Sequence, residues 1–321
     1  MRVIGKTGRK DIALLYVAEM RPGKHVEFVE SLQPPLPKKK KWVLIVSTLF
    51  GCPVGCAICD AGGWYQGPLT KEEIFSQIDY LISSSYPDKV VPVEKFKIQF
   101  ARMGEPAFNP AVLAVLKEFP HRYQAPGFMP SLSTIAPQGS EDFFNQLLEI
   151  KDEHYSGGQF QLQFSIHSTD PLVRDRLIPV KKWDFAAIAN FGEGFYRGGD
   201  RKITLNFALT DDSPLVPDVM CRYFDPRIFL IKITPVNPTV SAVEKGIKSG
   251  ISVETAKDPE LVKALRARGY DVVLSIGEPE ENKIGSNCGQ YIRKFLQGNH
   301  HISVPSYCYE MEPARAVHSP E

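Results

Sequence analysis

Three cysteines in one short stretch, Cys52-Pro-Val-Gly-Cys56-Ala-Ile-Cys59, carry the strongest chemical signal in this chain. Their spacing lets three thiolates converge on three corners of a [4Fe–4S] cube and leaves the fourth iron without a protein ligand. Thiolates are the soft ligands such clusters require. An open iron suits a cluster that handles a substrate rather than one that only relays electrons. A structural zinc knuckle uses similar cysteines but needs four ligands, and no fourth Cys or His lies nearby in sequence.

Other residue types with chemical potential follow. The stretch Arg102-Met-Gly-Glu-Pro-Ala-Phe-Asn109 sets Gly104 beside Glu105, so that backbone and carboxylate can approach a ligand ammonium closely. Ser133-Thr134, Ser165-Ile166-His167 and Pro235-Val-Asn237-Pro238 are weak signals singly. A lone histidine such as His167 is more often a satisfied structural residue than a ligand-binding one. Lys38 to Lys41 form a run of four lysines, which reads as a solvated loop with phosphate contact as the alternative.

Positioning these residues requires a frame. Asp11 to Met20 and His25 to Leu32 read as two strands joined by an Arg21-Pro-Gly-Lys24 turn, a small β extension. Trp42 to Leu49 is the first core strand and delivers the chain to the cysteine loop. Strands are then predicted at Phe96 to Arg102, Gly127 to Ser133, Gln159 to His167, Lys202 to Leu209, Ile228 to Thr234 and Tyr270 to Ser275. Between them run helices: Thr70-Lys-Glu-Glu73 is a capping box opening one that ends near Ser84. Further helices are predicted at Pro110 to Glu118, Glu141 to Lys151, Asp170 to Arg176, Phe185 to Tyr196 and Val253 to Arg268. This alternation indicates parallel β/α units and an open (β/α)6 partial barrel. Chemistry in such folds gathers at the carboxyl ends of the strands, and the unusual residues fall there. The expected division is an extension over residues 1–41, a core over 42–297 and a tail over 298–321.

Composition sets the outer bounds. With 321 residues, 43% hydrophobic and 23% charged, the chain has the make-up of an ordinary soluble protein. A net charge of +1 argues against a general nucleic-acid binder. No signal core and no run of 18 apolar residues is present, and half of the six cysteines lie in the cluster motif, which fits a reducing cytoplasm and no membrane.

In order, these motifs resemble the RlmN/Cfr adenosine methylases, radical-SAM enzymes that methylate carbon 2 or carbon 8 of adenosine in RNA. That family's pattern runs Cys-x3-Cys-x2-Cys, Met-Gly-Glu-Pro-x-x-Asn, Ser-Thr, Ser-x-His, a strand-end Asn-Pro and Ala-Cys-Gly-Gln. Here it reads Cys52/Cys56/Cys59, Met103 to Asn109, Ser133-Thr134, Ser165-Ile166-His167, Asn237-Pro238 and Asn287-Cys-Gly-Gln290, across residues 10 to 297. The resemblance implies that the open iron chelates S-adenosylmethionine and that Gly104, Glu105, Ser133, Ser165, Ile166, His167 and Asn237 hold it. It implies that Cys288 receives a methyl group from one S-adenosylmethionine, and that a 5′-deoxyadenosyl radical from a second takes a hydrogen from that S-methyl. The carbon radical then adds to an electron-poor sp2 carbon, which a polar methyl donor cannot alkylate. Ser286, Asn287 and Gly289 suit a loop that swings between cluster and substrate. The chemistry calls for an electron donor such as a flavodoxin or ferredoxin.

Three departures stand out. The family's further cysteine, seven residues before the first cluster ligand, is Ile45 here, so Cys308 in the tail is the expected resolving thiol and Cys221 is expected to be a buried structural one. The family's N-terminal RNA-binding domain has no counterpart ahead of the β extension. Ile58 stands before the last cluster cysteine where the family often has an aromatic residue. The resemblance also implies a proton-accepting carboxylate in the β extension; Val26-Glu27-Phe-Val29 gives Glu27, with Glu30 the alternative. The resulting expectation is a methyl synthase that favours a small heteroaromatic or natural-product substrate over RNA, with an RNA adenosine methylase as the alternative. A non-catalytic S-adenosylmethionine-binding protein is the reading from another class.

Overall fold

The computed structural model describes residues 1–251, 260–276, 279–286, 291–292 and 311–313. The chain opens with antiparallel strands β1 (Arg2–Arg9), β2 (Ala13–Arg21) and β3 (Lys24–Ser31). Parallel strands β4 (Lys41–Val46), β5 (Lys95–Phe100), β6 (Phe128–Thr134), β7 (Gln161–Ser165), β8 (Ile203–Leu209), β9 (Phe229–Pro235) and β10 (Val272–Leu274) follow. The helices are α1 (Lys71–Ser83), α2 (Ala111–Arg122), α3 (Glu141–His154), α4 (Pro171–Leu177), α5 (Phe185–Phe195), α6 (Pro217–Tyr223), α7 (Val240–Glu244), α8 (Glu260–Ala267) and α9 (Pro279–Ile284). Strand β11 (Glu312–Pro313) pairs with Gly5 and Lys6 of β1.

Among the described residues these strands make one sheet in the order β10-β9-β8-β7-β6-β5-β4-β3-β2-β1-β11, whose ends do not meet. The parallel part is the expected open barrel. The extension differs in two respects: β1 makes it three strands, and β3 pairs antiparallel with β4, so extension and barrel share one sheet. The α1 capping box forms as expected, with Thr70 Oγ1 accepting the Glu73 amide and the Glu73 carboxylate accepting the Thr70 amide.

The two faces of the barrel strands differ in chemistry because side chains alternate along a strand and register partners share a face. One face carries Trp42, Leu44, Val46, Phe96, Ile98, Phe100, Leu132, Phe164, Leu205, Phe207, Ile231 and Ile233, all in the main core. It packs on the helices: Phe96 and Phe128 meet Phe119 of α2, and Phe164 meets Phe144 of α3. Register places Ile45, Gln99, Ser131, Ser133, Gln163, Ser165, Asn206 and Lys232 on the other, concave face. A polar interior on an otherwise apolar sheet is a ligand cavity in composition.

Candidate functional site

The cysteine loop leaves β4 through Ser47–Phe50 and is fastened from three directions. Thr48 and Leu49 amides donate to Met103 O, the Ala57 amide donates to Leu177 O, and Ser241 Oγ donates to Ala57 O at 3.1 Å. Asp60 accepts the Ser241 amide at 2.9 Å, and Thr239 Oγ1 donates to Ile58 O. Cys52, Cys56 and Cys59 are half-buried. Val54, Ala57, Ile135, Leu177 and Ile178 form a small apolar cluster with Cys52, Cys56 and Ile58 packed against it. Burial drives the Cys56 thiol well above its usual range, and Cys59 and Cys52 push the same way. Burial also raises Cys52, to about 11, against the pull of the Val54 amide. A thiol raised by burial and by two neighbouring thiols in an apolar sheath belongs to a donor set that a cationic iron cluster would relieve. Among the described residues no three Cys, His, Asp or Glu side chains close on a single point as they would around one metal ion. A [4Fe–4S] cube holds its thiolates farther apart, and the residues present fit it.

Glu105 stands beside this loop, 5% exposed. Its carboxylate accepts the Thr134 hydroxyl, the Ile135 amide at 2.9 Å and the Ala107 amide at 3.1 Å, and among the described residues it has no cation. Burial lifts its pKa to about 7. A buried carboxylate of this kind, next to an open iron, fits the ammonium of S-adenosylmethionine. Gly104 has a packing role. At φ +100° an added Cβ would lie 2.5 Å from Leu49 Cβ, so the glycine lets the β5 end pack against the strand that feeds the cysteine loop.

His167 is buried, and its Nδ1 accepts the Ala208 amide at 3.0 Å. A backbone N–H can only donate, so Nδ1 is bare and Nε2 carries the proton. Burial, with Arg174 acting the same way, lowers the imidazole to about 4 and keeps it neutral. Its φ of 64° is left-handed. Ser133 Oγ accepts the Gln163 amide at 3.2 Å. Ser165 and Asn237 are half-buried, and Ile166 lies in the main core.

Glu27, on β3, is fully buried. Its Oε2 accepts Arg102 Nη2 at 2.6 Å and Nε at 3.2 Å, and its Oε1 accepts the amides of Tyr291 and Ile292, each at 2.6 Å. Arg102 Nη1 donates to the carbonyls of Gly285 and Ser286, both at 3.1 Å. Gly285 and Ser286 on one side of positions 287–290, and Tyr291 and Ile292 on the other, therefore meet one ion pair. Cys288 falls among them and lies outside the described residues, as does Cys308. Burial raises the Glu27 carboxyl, and Arg102 pulls against it. Glu30, the alternative, is committed elsewhere: it accepts Lys38 Nζ at 2.6 Å and Trp42 Nε1 at 3.0 Å. Arg102 is the site residue that sequence reasoning missed. Its signal was a cation directly before the Met-Gly-Glu run at a strand end.

Two expectations about the remaining departures can be settled. Ile45 pairs with Val29 and stands on the concave face, so the place of the family's extra cysteine is an apolar side chain facing the cavity. Cys221 is not buried; it is exposed on α6, because that short helix turns Met220 rather than Cys221 into the core.

No family model matches the chain. A protein of Desulfitobacterium hafniense strain Y51 named "probable dual-specificity RNA methyltransferase RlmN" is 28% identical over 265 residues, covering 80% of this chain and 69% of that protein. A protein of Syntrophomonas wolfei with the same name is 26% identical over 301 residues, covering 90% and 79%. The crystal structure of a radical SAM methyltransferase from Sphaerobacter thermophilus matches the fold with a TM-score of 0.68, at 21% identity over 90% of this chain and 81% of that one. Sequence likeness along most of its length, together with the shared fold and the cysteine loop, supports an RlmN/Cfr-like radical-SAM methylase.

Proposed function

We propose that this enzyme builds a methyl or one-carbon group on an unreactive sp2 carbon of a heteroaromatic substrate, with Cys288 as the methyl carrier. The observation that carries the reading is a single segment, Arg102 to Glu105. At one end Arg102 holds the Gly285 and Ser286 carbonyls before Cys288 and pairs with Glu27, which accepts the Tyr291 and Ile292 amides after it; at the other Glu105 lies against the cysteine loop. The residues flanking Cys288 and the Glu105 carboxylate thus share one short piece of backbone, which supports the reading because proximity is built into a scaffold in this way.

When bound, the cluster and S-adenosylmethionine supply one-electron cleavage chemistry. The chain's residues orient it: Cys52, Cys56 and Cys59 would hold the cluster, and Glu105 would take the ammonium. His167 offers an Nε2–H donor, and Ser133, Ser165 and Asn237 offer polar groups at neighbouring strand ends. Val54, Ile135 and Leu177 give Cys52 and Cys56 an apolar flank.

For the substrate, two observations favour different carriers of the same ring. The relatives are named as RNA methyltransferases, which favours an adenine within RNA. The lysine run favours a free small molecule, because three of its members are already engaged. Lys38 is paired with Glu30 and lies over the Trp42 ring, Lys40 is paired with Glu94, and Lys41 donates to Gln33.

Anaerobic reconstitution tests the reading. It is expected to give about four iron per chain and, with a reductant, 5′-deoxyadenosine from S-adenosylmethionine. Cys52→Ala, Cys56→Ala and Cys59→Ala should each abolish both. Zinc in the site with no nucleoside formed contradicts it.

A further inference from the structure

The concave face carries a second polar group of residues nearer the amino-terminal ends of the strands. Lys41 and Lys95 are register partners at the first positions of β4 and β5, and Lys97 stands two residues further along the same face. Lys232 stands on that face of β9, opposite Asn206 of β8. Lys97 is 9% exposed, and its Nζ donates to Gln161 Oε1 at 2.7 Å. Among the described residues no carboxylate pairs with it. Burial pushes it down to about 7, with Lys232, Lys95, Lys41 and Arg201 adding to the effect. Lys95 is half-buried and has no side-chain partner among the described residues. Thr204, 1% exposed and on the same face of β8, leaves its Oγ1 without a hydrogen bond.

A buried ammonium resting on one neutral amide among other cations lowers the stability of the fold. Packing does not call for it, since a methionine would fill the same space. Unmet groups of this kind, a cation and a hydroxyl buried on one face of the sheet, are what a bound anion completes. Several cations around one point suit a group with three or four oxygens better than a carboxylate with two.

We propose that this floor of the barrel is a subsite for a phosphate group of the substrate, with Lys97 and Lys95 as its cations and Thr204 Oγ1 as a hydrogen-bond donor. The proposal rests on the reading that the concave face is the catalytic cavity. The phosphate can come from a free nucleotide or from an RNA strand, which share the same chemistry.

The test is thermal unfolding of the anaerobic, cluster-loaded chain in increasing orthophosphate, against chloride at equal ionic strength. Orthophosphate is expected to raise the Tm of the wild type saturably. Lys97→Met should abolish that rise and should itself unfold a few degrees higher without phosphate, because the unpaired ammonium is gone. A lysine whose role was only to hold Gln161 would give the opposite shift in Tm. A Lys97→Met protein that keeps the orthophosphate response overturns the proposal. Should that variant not fold, Lys95→Gln must weaken the phosphate midpoint about tenfold, a loss of about 1.4 kcal/mol, and an unchanged midpoint is equally fatal. Competition identifies the source. Adenosine 5′-monophosphate displacing orthophosphate where adenosine does not marks a phosphomonoester. Displacement by an oligoribonucleotide lacking terminal phosphates marks the phosphodiester. Displacement by neither marks an adventitious ion only and overturns the proposal. None of these readouts needs turnover, so failure of methyl transfer through Cys288 would leave the subsite standing.

Discussion

Arg102 Nη2 lies 2.6 Å from Glu27 Oε2, with both side chains sealed from solvent. Both oxygens of the carboxylate accept hydrogen bonds, Oε2 from Arg102 and Oε1 from the amides of Tyr291 and Ile292. The pair holds Gly285 and Ser286 through Arg102, and Tyr291 and Ile292 through Glu27. Arg102→Met or Glu27→Gln alone leaves a buried charge unpaired and should cost about 3–5 kcal/mol of stability. The double variant Glu27→Leu/Arg102→Met should recover most of that in denaturant unfolding, because no charge is stranded. Methyl labelling of Cys288 should stay lost in the double variant. If labelling returned together with stability, the pair would be structural only.

His167 provides a pH signature. Its pKa falls from 6.5 to about 4 on folding, so between those values the unfolded chain binds the extra proton. Stability from this group is therefore complete above about pH 6.5 and is lost as pH falls towards 4. Labelled-imidazole NMR should find His167 as the neutral Nε2–H form from pH 5 to 8. His167→Asn keeps an acceptor for the Ala208 amide and should remove the acid-side slope. A titration of His167 near 6.5 would show that its burial and its bond to Ala208 do not control it.

Substrate class can be read from salt. Each phosphate contact contributes about 0.7 to 0.9 to the log–log salt slope of RNA affinity. With Lys38, Lys40 and Lys41 held by Glu30, Glu94 and Gln33, replacing Lys38 to Lys41 by Gln should leave turnover nearly intact. A nanomolar RNA complex at physiological salt that those changes destroy would favour the RNA substrate.

The parts of this protein governed by local chemistry were legible from sequence. Cysteine spacing, the Thr70–Glu73 capping box and the strand–helix alternation each depend on residues close together in the chain. What escaped depends on distant partners. β1 is rich in Arg, Lys and Gly and has no apolar alternation; pairing with β2 makes it a strand. Helix α2 was expected to stop at Glu118 but runs through Pro120 to Arg122. Proline removes the amide that would reach Leu116 O, and the Tyr155 hydroxyl donates to that carbonyl instead. The Glu27–Arg102 pair joins residues 75 apart in sequence, and nothing local to either predicts the other.

Release of product poses a separate question, because in the proposed reaction carbon–carbon bond formation would leave a thioether on Cys288. A second thiol must reach disulfide geometry, with Cα atoms within about 7 Å. Ile45 cannot serve, and Cys221 on the exposed side of α6 is expected to be dispensable. We expect Cys308→Ala to make 5′-deoxyadenosine once and then retain substrate covalently on Cys288. Full multiple turnover by Cys308→Ala would point to release without a thiol.

The most direct measurement of the central claim is mass spectrometry of anaerobically purified chain made with methyl-labelled methionine. The account predicts one labelled methyl on Cys288, absent in Cys288→Ala although that variant still binds its cluster through Cys52, Cys56 and Cys59. Label on another residue, or none on Cys288 under turnover conditions, contradicts it.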